Sequence, residues 1–268
     1  MYLVPFSYQS VFWNEPLFWV GLVFVTFPLN FLVYGLNDFT NGKVNSLNPR
    51  KGNYLFGAKL TKEEQKNLPW HICLVDIPFL GYFFYVGGAD LFVLVLFMFV
   101  VNILYNYKPF RLKERPPLDI FLQLGYIFVS LFSVLLNDAE MIPWQTFLAM
   151  AILAFSAHLV GEIIDVDLDR IANKKTTAVF LGRKNAKLLL IALLLFETYI
   201  FLDWFQAWVL ALITALSSLW LILDVLVIFK SKPYGLIHIK IFGICVNFLA
   251  YSSLFWVLYS GSLLHPNF

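Results

Sequence analysis

Charge is scarce in this sequence: Asp, Glu, Lys and Arg make up 13% of 268 residues, about half the share usual in a soluble domain. Its two cysteines, Cys73 and Cys245, lie inside apolar runs, which supports neither a disulfide framework nor a cysteine-based zinc site. The four histidines, His71, His158, His238 and His265, are scattered without metal-ligand spacing. There is no polybasic signature: 19 Lys and Arg against 17 Asp and Glu leave a net charge of +2, so no nucleic acid is expected as a partner. No glycine-rich phosphate loop is present. The opening Met1-Tyr2-Leu3-Val4-Pro5 lacks the basic start of a cleavable signal, so the first apolar stretch is expected to be an uncleaved anchor.

What abounds is apolar surface. Hydrophobic residues are 60% of the chain and aromatic ones 19%, with 29 Phe and 13 Tyr, and mean hydropathy is +0.75. A transmembrane helix needs about 20 mostly apolar residues to satisfy its backbone across roughly 30 Å of hydrocarbon. Eight stretches qualify: 17–36, 71–88, 89–106, 117–136, 142–161, 186–203, 205–229 and 236–260. Only the turn around Gly87-Gly88-Ala89-Asp90 separates the second from the third, which predicts a tight helical hairpin. The longest polar segment, Asn37 to Pro69, is too short for a soluble domain. The expected fold is therefore an all-α polytopic transmembrane bundle forming one domain, 1–268.

Charge placement tests that count, because Lys and Arg accumulate in cytoplasmic loops. With eight alternating spans every Lys and Arg falls on one side, in clusters Lys43 to Lys66, Lys108 to Arg115, Arg170 to Lys187 and Lys230 to Lys240. The other side carries Glu15, Asp90, Asp138, Glu140 and Asp203. The basic loops are thus expected in the cytoplasm and both termini outside.

Two of the cytoplasmic segments are dense in oxygen ligands. One, at the end of the first span, reads Asn37-Asp38-Phe39-Thr40-Asn41-Gly42-Lys43-Val44-Asn45; a helix continuing to Asn45 would put Asp38, Asn41 and Asn45 on one face. The other, after the fifth span, contains Asp165-Val166-Asp167-Leu168-Asp169, in which Asp165 and Asp169 share a face and Asp167 points away. Hard cations such as Mg²⁺ take oxygen ligands, usually one or two carboxylates plus waters and substrate phosphates. The same pattern also suits solvated helix ends at a membrane surface. A third segment, Tyr105 to Pro116, places Lys108, Arg111, Lys113 and Arg115 on that same side, where Arg and Lys suit a phosphate ligand and positive-inside topology equally accounts for them.

Together these motifs resemble the UbiA superfamily of intramembrane prenyltransferases. The Asn37 to Asn45 run is similar to its NDxxDxxxD motif, Asp165 to Asp169 to its second motif, DxxxD, and Lys175-Thr176-Thr177-Ala178-Val179-Phe180-Leu181-Gly182 to the tail after that motif. Leu47 to Gly52 and Arg111 to Pro116 look most similar to the lycopene elongase type, which prenylates a carotenoid. The resemblance implies a helical bundle with a lipid-open cavity, Mg²⁺ as cofactor, a prenyl diphosphate donor and a hydrophobic acceptor. It implies metal ligands at Asp38, Asn41, Asn45, Asp165 and Asp169, with Asp38, Asp165 and Asp169 catalytic. Diphosphate contacts are implied at Asn37, Tyr105, Arg111, Lys113, Lys174 and Lys175, with Asp167 supporting them.

Two features depart from the family. Asn41 and Asn45 stand where members usually have carboxylates, leaving one carboxylate of three. Members usually have nine spans, and the first is expected to be missing here, since only Met1 to Glu15 precedes the first apolar stretch. These departures support an alternative reading, a catalytically weak or inactive relative that binds isoprenoid or supports another membrane enzyme. A transporter is a third reading, suggested by the intramembrane acids Asp76, Glu197 and Asp224, though no inverted repeat supports it. His158, one turn before Glu162, is expected to bond to a neighbouring helix, or else to stand beside the acceptor.

Overall fold

The computed structural model describes residues 1–7, 11–42, 45, 48–52 and 57–267, the side chain of Val11 excepted. Val44 of the first motif, Lys43 of the first basic cluster and Leu47 of the Leu47 to Gly52 run lie outside the described residues. The helices are α1 (Pro16–Thr26), α2 (Pro28–Thr40), α3 (Lys62–Asn106), α4 (Leu118–Phe121), α5 (Ile127–Asn137), α6 (Trp144–Ile171), α7 (Thr177–Leu181), α8 (Arg183–Asp203), α9 (Trp208–Leu223) and α10 (Leu236–Ser260). Among the described residues there is no β-strand.

Among the described residues seven helical segments are long and apolar enough to cross a membrane, and the protein is an integral, multi-pass membrane protein. One of the seven, α3, has 45 residues, about 68 Å at 1.5 Å per residue and more than twice a hydrocarbon core of about 30 Å. It is two crossings joined at Gly88, whose φ of 65° and ψ of −154° are non-helical. That backbone region is essentially open to glycine alone. The Phe84 and Phe92 rings lie 5.3 Å apart, although eight residues of straight helix would rise about 12 Å. The chain therefore turns back at the expected place, and among the described residues eight crossings result.

The first crossing runs further than the expected 17–36, to Thr40, and is interrupted at Phe27 (φ −122°, ψ −69°). Pro28 causes the break: proline has no N–H to continue α1, yet suits the first turn of α2. Thr61 and Glu64 cap α3 reciprocally, each side chain bonding the other's backbone N–H at 3.2 and 2.7 Å. The seventh crossing starts at Trp208 and closes in a π-helical turn, Asp224–Ile228.

The helices group into two compact units. The first, Met1–Lys113 with Gly125–Met141, has an aromatic core in which Phe83 meets Phe24 and Phe132 at 4.9 and 5.0 Å between ring centres. Leu91 and Val95, beyond the Gly88 break, bury into the same core. The second, Glu114–Leu124 with Ile142–Phe268, packs Leu159, Ile163 and Val166 of α6 against Ala178, Ala186 and Leu190. Many large apolar side chains, among them Tyr85, Phe248 and Tyr259, remain exposed, as suits a surface facing lipid.

Within each unit, polar contacts gather the helix ends. In the first, Lys113 joins the end of α2 to the end of α3. In the second, the end of α6, the start of α8 and the loop after the π-turn meet through Arg183. At that unit's opposite end Thr146 Oγ1 donates to the Leu263 carbonyl and Asn267 N–H to Trp204 O at 2.8 Å. Each unit thus has one end rich in Lys and Arg.

Candidate metal and diphosphate site

In the first unit the expected motif residues come together around the end of α2. The helix stops at Thr40, and Asn41 has left helical geometry (φ −103°, ψ 14°). The continuous helix to Asn45 expected from spacing is therefore interrupted. Asn45 still returns to the motif: its N–H donates to Asn41 O at 2.9 Å and its Nδ2 to Asp38 Oδ1 at 2.7 Å. Lys51 Nζ lies 2.9 and 3.1 Å from the two Asp38 oxygens. Asn41 Nδ2 donates to Asn37 Oδ1 at 2.9 Å, while Asn41 Oδ1 is buried without a hydrogen-bond partner. Asp38, Gly42 and Asn45 line a shallow open pocket with Lys59 and Gln65.

Lys113 is 6% exposed. Its ammonium donates to Asn37 Oδ1 (3.0 Å), Thr40 Oγ1 (2.7 Å) and Asn106 Oδ1 (2.9 Å). It thus bolts the basic loop to the ends of α2 and α3 and brings a positive charge to the motif. Tyr105 and Arg111 are half-buried nearby in sequence; Arg111 takes a left-handed backbone (φ 42°) and its N–H bonds Tyr107 O at 2.7 Å.

The second motif lies on the last turns of α6. At 28 residues this helix is about 42 Å long, so its end projects beyond the hydrocarbon. Asp165 is half-buried and Asp169 buried. Lys174 Nζ sits 3.1 Å from Asp169 Oδ1, and Lys175 is exposed. Asp167, on the other side, pairs with Arg183 Nη2 at 3.1 Å.

Two carboxylates outside both motifs, which sequence reasoning does not single out, organise the segment after α6. Asp119 on α4 accepts from Thr177 N–H and, at 2.6 Å, from Thr177 Oγ1. Glu162 Oε2 accepts from Ala178 N–H at 3.0 Å. Together they seat the start of α7, and their one sequence signal is an acid at an apolar helix end. Glu162 Oε1 also lies 3.1 Å from His158 Nε2, one turn earlier on the same helix.

The donor set fits Mg²⁺. Among the described residues no three Asp, Glu, His or Cys side chains converge as a ready-made cluster, but Mg²⁺ usually takes one or two carboxylates and completes its shell with water and substrate oxygens. The buried Asn41 Oδ1, lacking a partner, is a neutral oxygen of that kind beside Asp38. Of the intramembrane acids that suggested transport, Asp224 is neutralised by Lys187 at 2.6 Å. Asp76 and Glu197 are buried without hydrogen-bond partners.

Comparison with known proteins bears on the family and the fold. A model of the UbiA prenyltransferase family matches residues 2–235. A lycopene elongase/hydratase of Corynebacterium glutamicum is 28% identical over 173 residues, covering 63% of this chain and 60% of the relative. The C(50) β-cyclic carotenoids biosynthesis protein LbtBC of a Dietzia species is 28% identical over 171 residues, 62% of this chain and 39% of that one. The chain thus spans well under two thirds of these relatives' length. In fold it is similar to a UbiA homologue from Archaeoglobus fulgidus, solved bound to GPP and Mg²⁺, with a TM-score of 0.68 and 18% identity over 98% of this chain and 93% of that one.

Proposed function

The chain belongs to the UbiA prenyltransferase family, and from that premise we propose that it transfers an isoprenoid group from a prenyl diphosphate to a hydrophobic acceptor, with a carotenoid as the acceptor class. The observation that best supports this is the oxygen cluster at the end of α2, where Asp38 stands beside the buried, unpartnered Asn41 Oδ1. The carotenoid acceptor is suggested by the relatives, which are lycopene elongase/hydratases.

In this reading Asp38, Asn41, Asn45, Asp165 and Asp169 are the oxygen donors for Mg²⁺. When bound, Mg²⁺ supplies positive charge to the departing diphosphate as the carbon–oxygen bond ionises. Arg111, Lys174 and Lys175 add fixed positive charge for the phosphate oxygens, with Tyr105 and Asn37 as hydrogen-bonding groups. Lys113, committed to three neutral oxygens, serves by its charge and by holding Asn37 in place. The apolar, Phe-rich interior withholds water from the allylic cation so that an acceptor carbon captures it.

Asp165→Ala and Asp169→Ala are each expected to abolish transfer of labelled prenyl diphosphate in lipid-reconstituted protein while leaving it folded. Unchanged turnover would remove the second motif from the reaction. A specific observation favours the alternative, a relative that binds isoprenoid without turning it over: Asp38 is engaged by Lys51, and two neutral amides accompany it. Diphosphate binding without transfer to any carotenoid or aromatic acceptor would establish that reading.

A further inference from the structure

The second acidic motif sits at the wrong end of its helix. Glu162, Asp165, Asp167 and Asp169 all occupy the last turns of α6, where the aligned peptide dipoles make the helix end negative and disfavour carboxylates, even though the N–H groups of Ala172, Asn173 and Lys174 close the end on the Leu168, Arg170 and Asp169 carbonyls. Asp165 and Asp169 also repel each other at i, i+4. Lys174 offsets the charge of Asp169; the remaining acids favour fraying, which would loosen the spacing of the two motif acids.

Arg183, the first residue of α8 and 7% exposed, counters this. Its Nη2 pairs with Asp167 at 3.1 Å, its Nε donates to Ile163 O at 3.3 Å, and its Nη1 donates to Ser231 O at 3.3 Å. One guanidinium thus grips the motif helix and the loop between the π-turn and α10. That loop is locked in turn. Lys187 Nζ, fully buried, contacts Asp224 Oδ2 at 2.6 Å, donates to Lys230 O at 2.9 Å, and lies 4.5 Å from the centre of the Tyr234 ring. Tyr234 Oη donates to Asp224 Oδ2 at 2.6 Å, and Phe229 N–H to Asp224 Oδ1 at 3.2 Å. Burial and the Asp224 carboxylate push the Tyr234 phenol well above its ordinary value, so it stays protonated and donates. The π-turn Asp224–Ile228 that delivers this carboxylate is a rare element, often kept where function needs it.

We propose that the loop from Phe229 to Tyr234 is a brace for the second acidic motif: Asp224, Lys187 and Tyr234 fix the Ser231 carbonyl, and Arg183 passes that fixity to the helix end carrying Asp165 and Asp169. Arg183 and Tyr234 are positioning residues acting through Asp167 and Ile163. In its catalytic consequence the proposal rests on the prenyltransferase reading; in its structural consequence it does not.

Hydrogen exchange on the full chain in lipid nanodiscs, without metal, tests the brace. In Arg183→Gln and Tyr234→Phe the amides from Ile163 to Asn173 are expected to exchange at least several-fold faster than in wild type. The amides of α9 should be unchanged, and Arg183→Lys should restore part of the protection. The same variants should need several-fold more Mg²⁺ for half-maximal transfer. Equal exchange in the motif segment, or acceleration spread evenly over the molecule, overturns the brace. If Arg183→Gln fails to fold, Tyr234→Phe, which removes one hydroxyl, decides. Faster local exchange in variants of a chain whose wild type transfers nothing would uphold the brace and sink the enzyme reading separately.

Discussion

Lys113 brings a full charge into a nearly closed space and is met there by three neutral oxygens from three different side chains. Sequence suggested a phosphate ligand because Lys113 lies in a basic loop; its partners on α2 were hidden because they are 73 and 76 residues away. Asn41 and Asn45 separate in the same way. Both look alike as missing carboxylates, yet Asn45 donates to Asp38 whereas Asn41 leaves its carbonyl oxygen unused. Asn41→Asp is therefore expected to lower the Mg²⁺ needed for half-maximal transfer by several-fold, and to reduce thermal stability without metal because it buries a carboxylate and removes the donor to Asn37 Oδ1. Asn45→Asp should lower the requirement too, and should likewise reduce thermal stability without metal, since a second carboxylate would replace a donor beside Asp38. Titrating Mg²⁺ against transfer and melting temperature checks both, and an unchanged requirement would mean that neither position meets the metal.

Among the elements, α3 depends most on one residue. A Cβ at Gly88 would meet nothing within 4 Å, so the glycine is required by backbone geometry rather than by space. Gly88→Ala is expected to cost about 1–3 kcal/mol, the range for a residue forced into such a region, measurable as a lower midpoint in detergent-induced unfolding. Wild-type stability in that variant would show that the break is set by packing around Phe83 and Leu91. The Gly87-Gly88 pair was legible as a turn because glycine punctuates apolar runs. The seating of α7 by Asp119 and Glu162 was not, because Asp119 and Thr177 are 58 residues apart and neither matches a capping pattern.

At the scale of the molecule, eight crossings with Lys and Arg gathered at one end of each unit lead to an orientation that can be measured. In a cysteine-free background, Glu140→Cys is expected to react with an impermeant maleimide on intact cells, and Lys232→Cys only after the membrane is opened, as positive-inside topology requires. The reverse pattern would invert the protein and place both acidic motifs outside.

Composition and hydropathy sufficed for membrane residence and the number of crossings, because a helix in hydrocarbon must be long and apolar wherever it packs. Motif spacing likewise sufficed for the family, since the residues that define it lie within short runs. Which polar side chains remain available for chemistry was decided only by tertiary structure. Asp38 with Lys51, Asp167 with Arg183, Asp224 with Lys187 and Lys113 with its three oxygens are pairings made by chain segments brought together on folding. A buried charge takes whichever partner the packing supplies, and sequence proximity does not say which that will be.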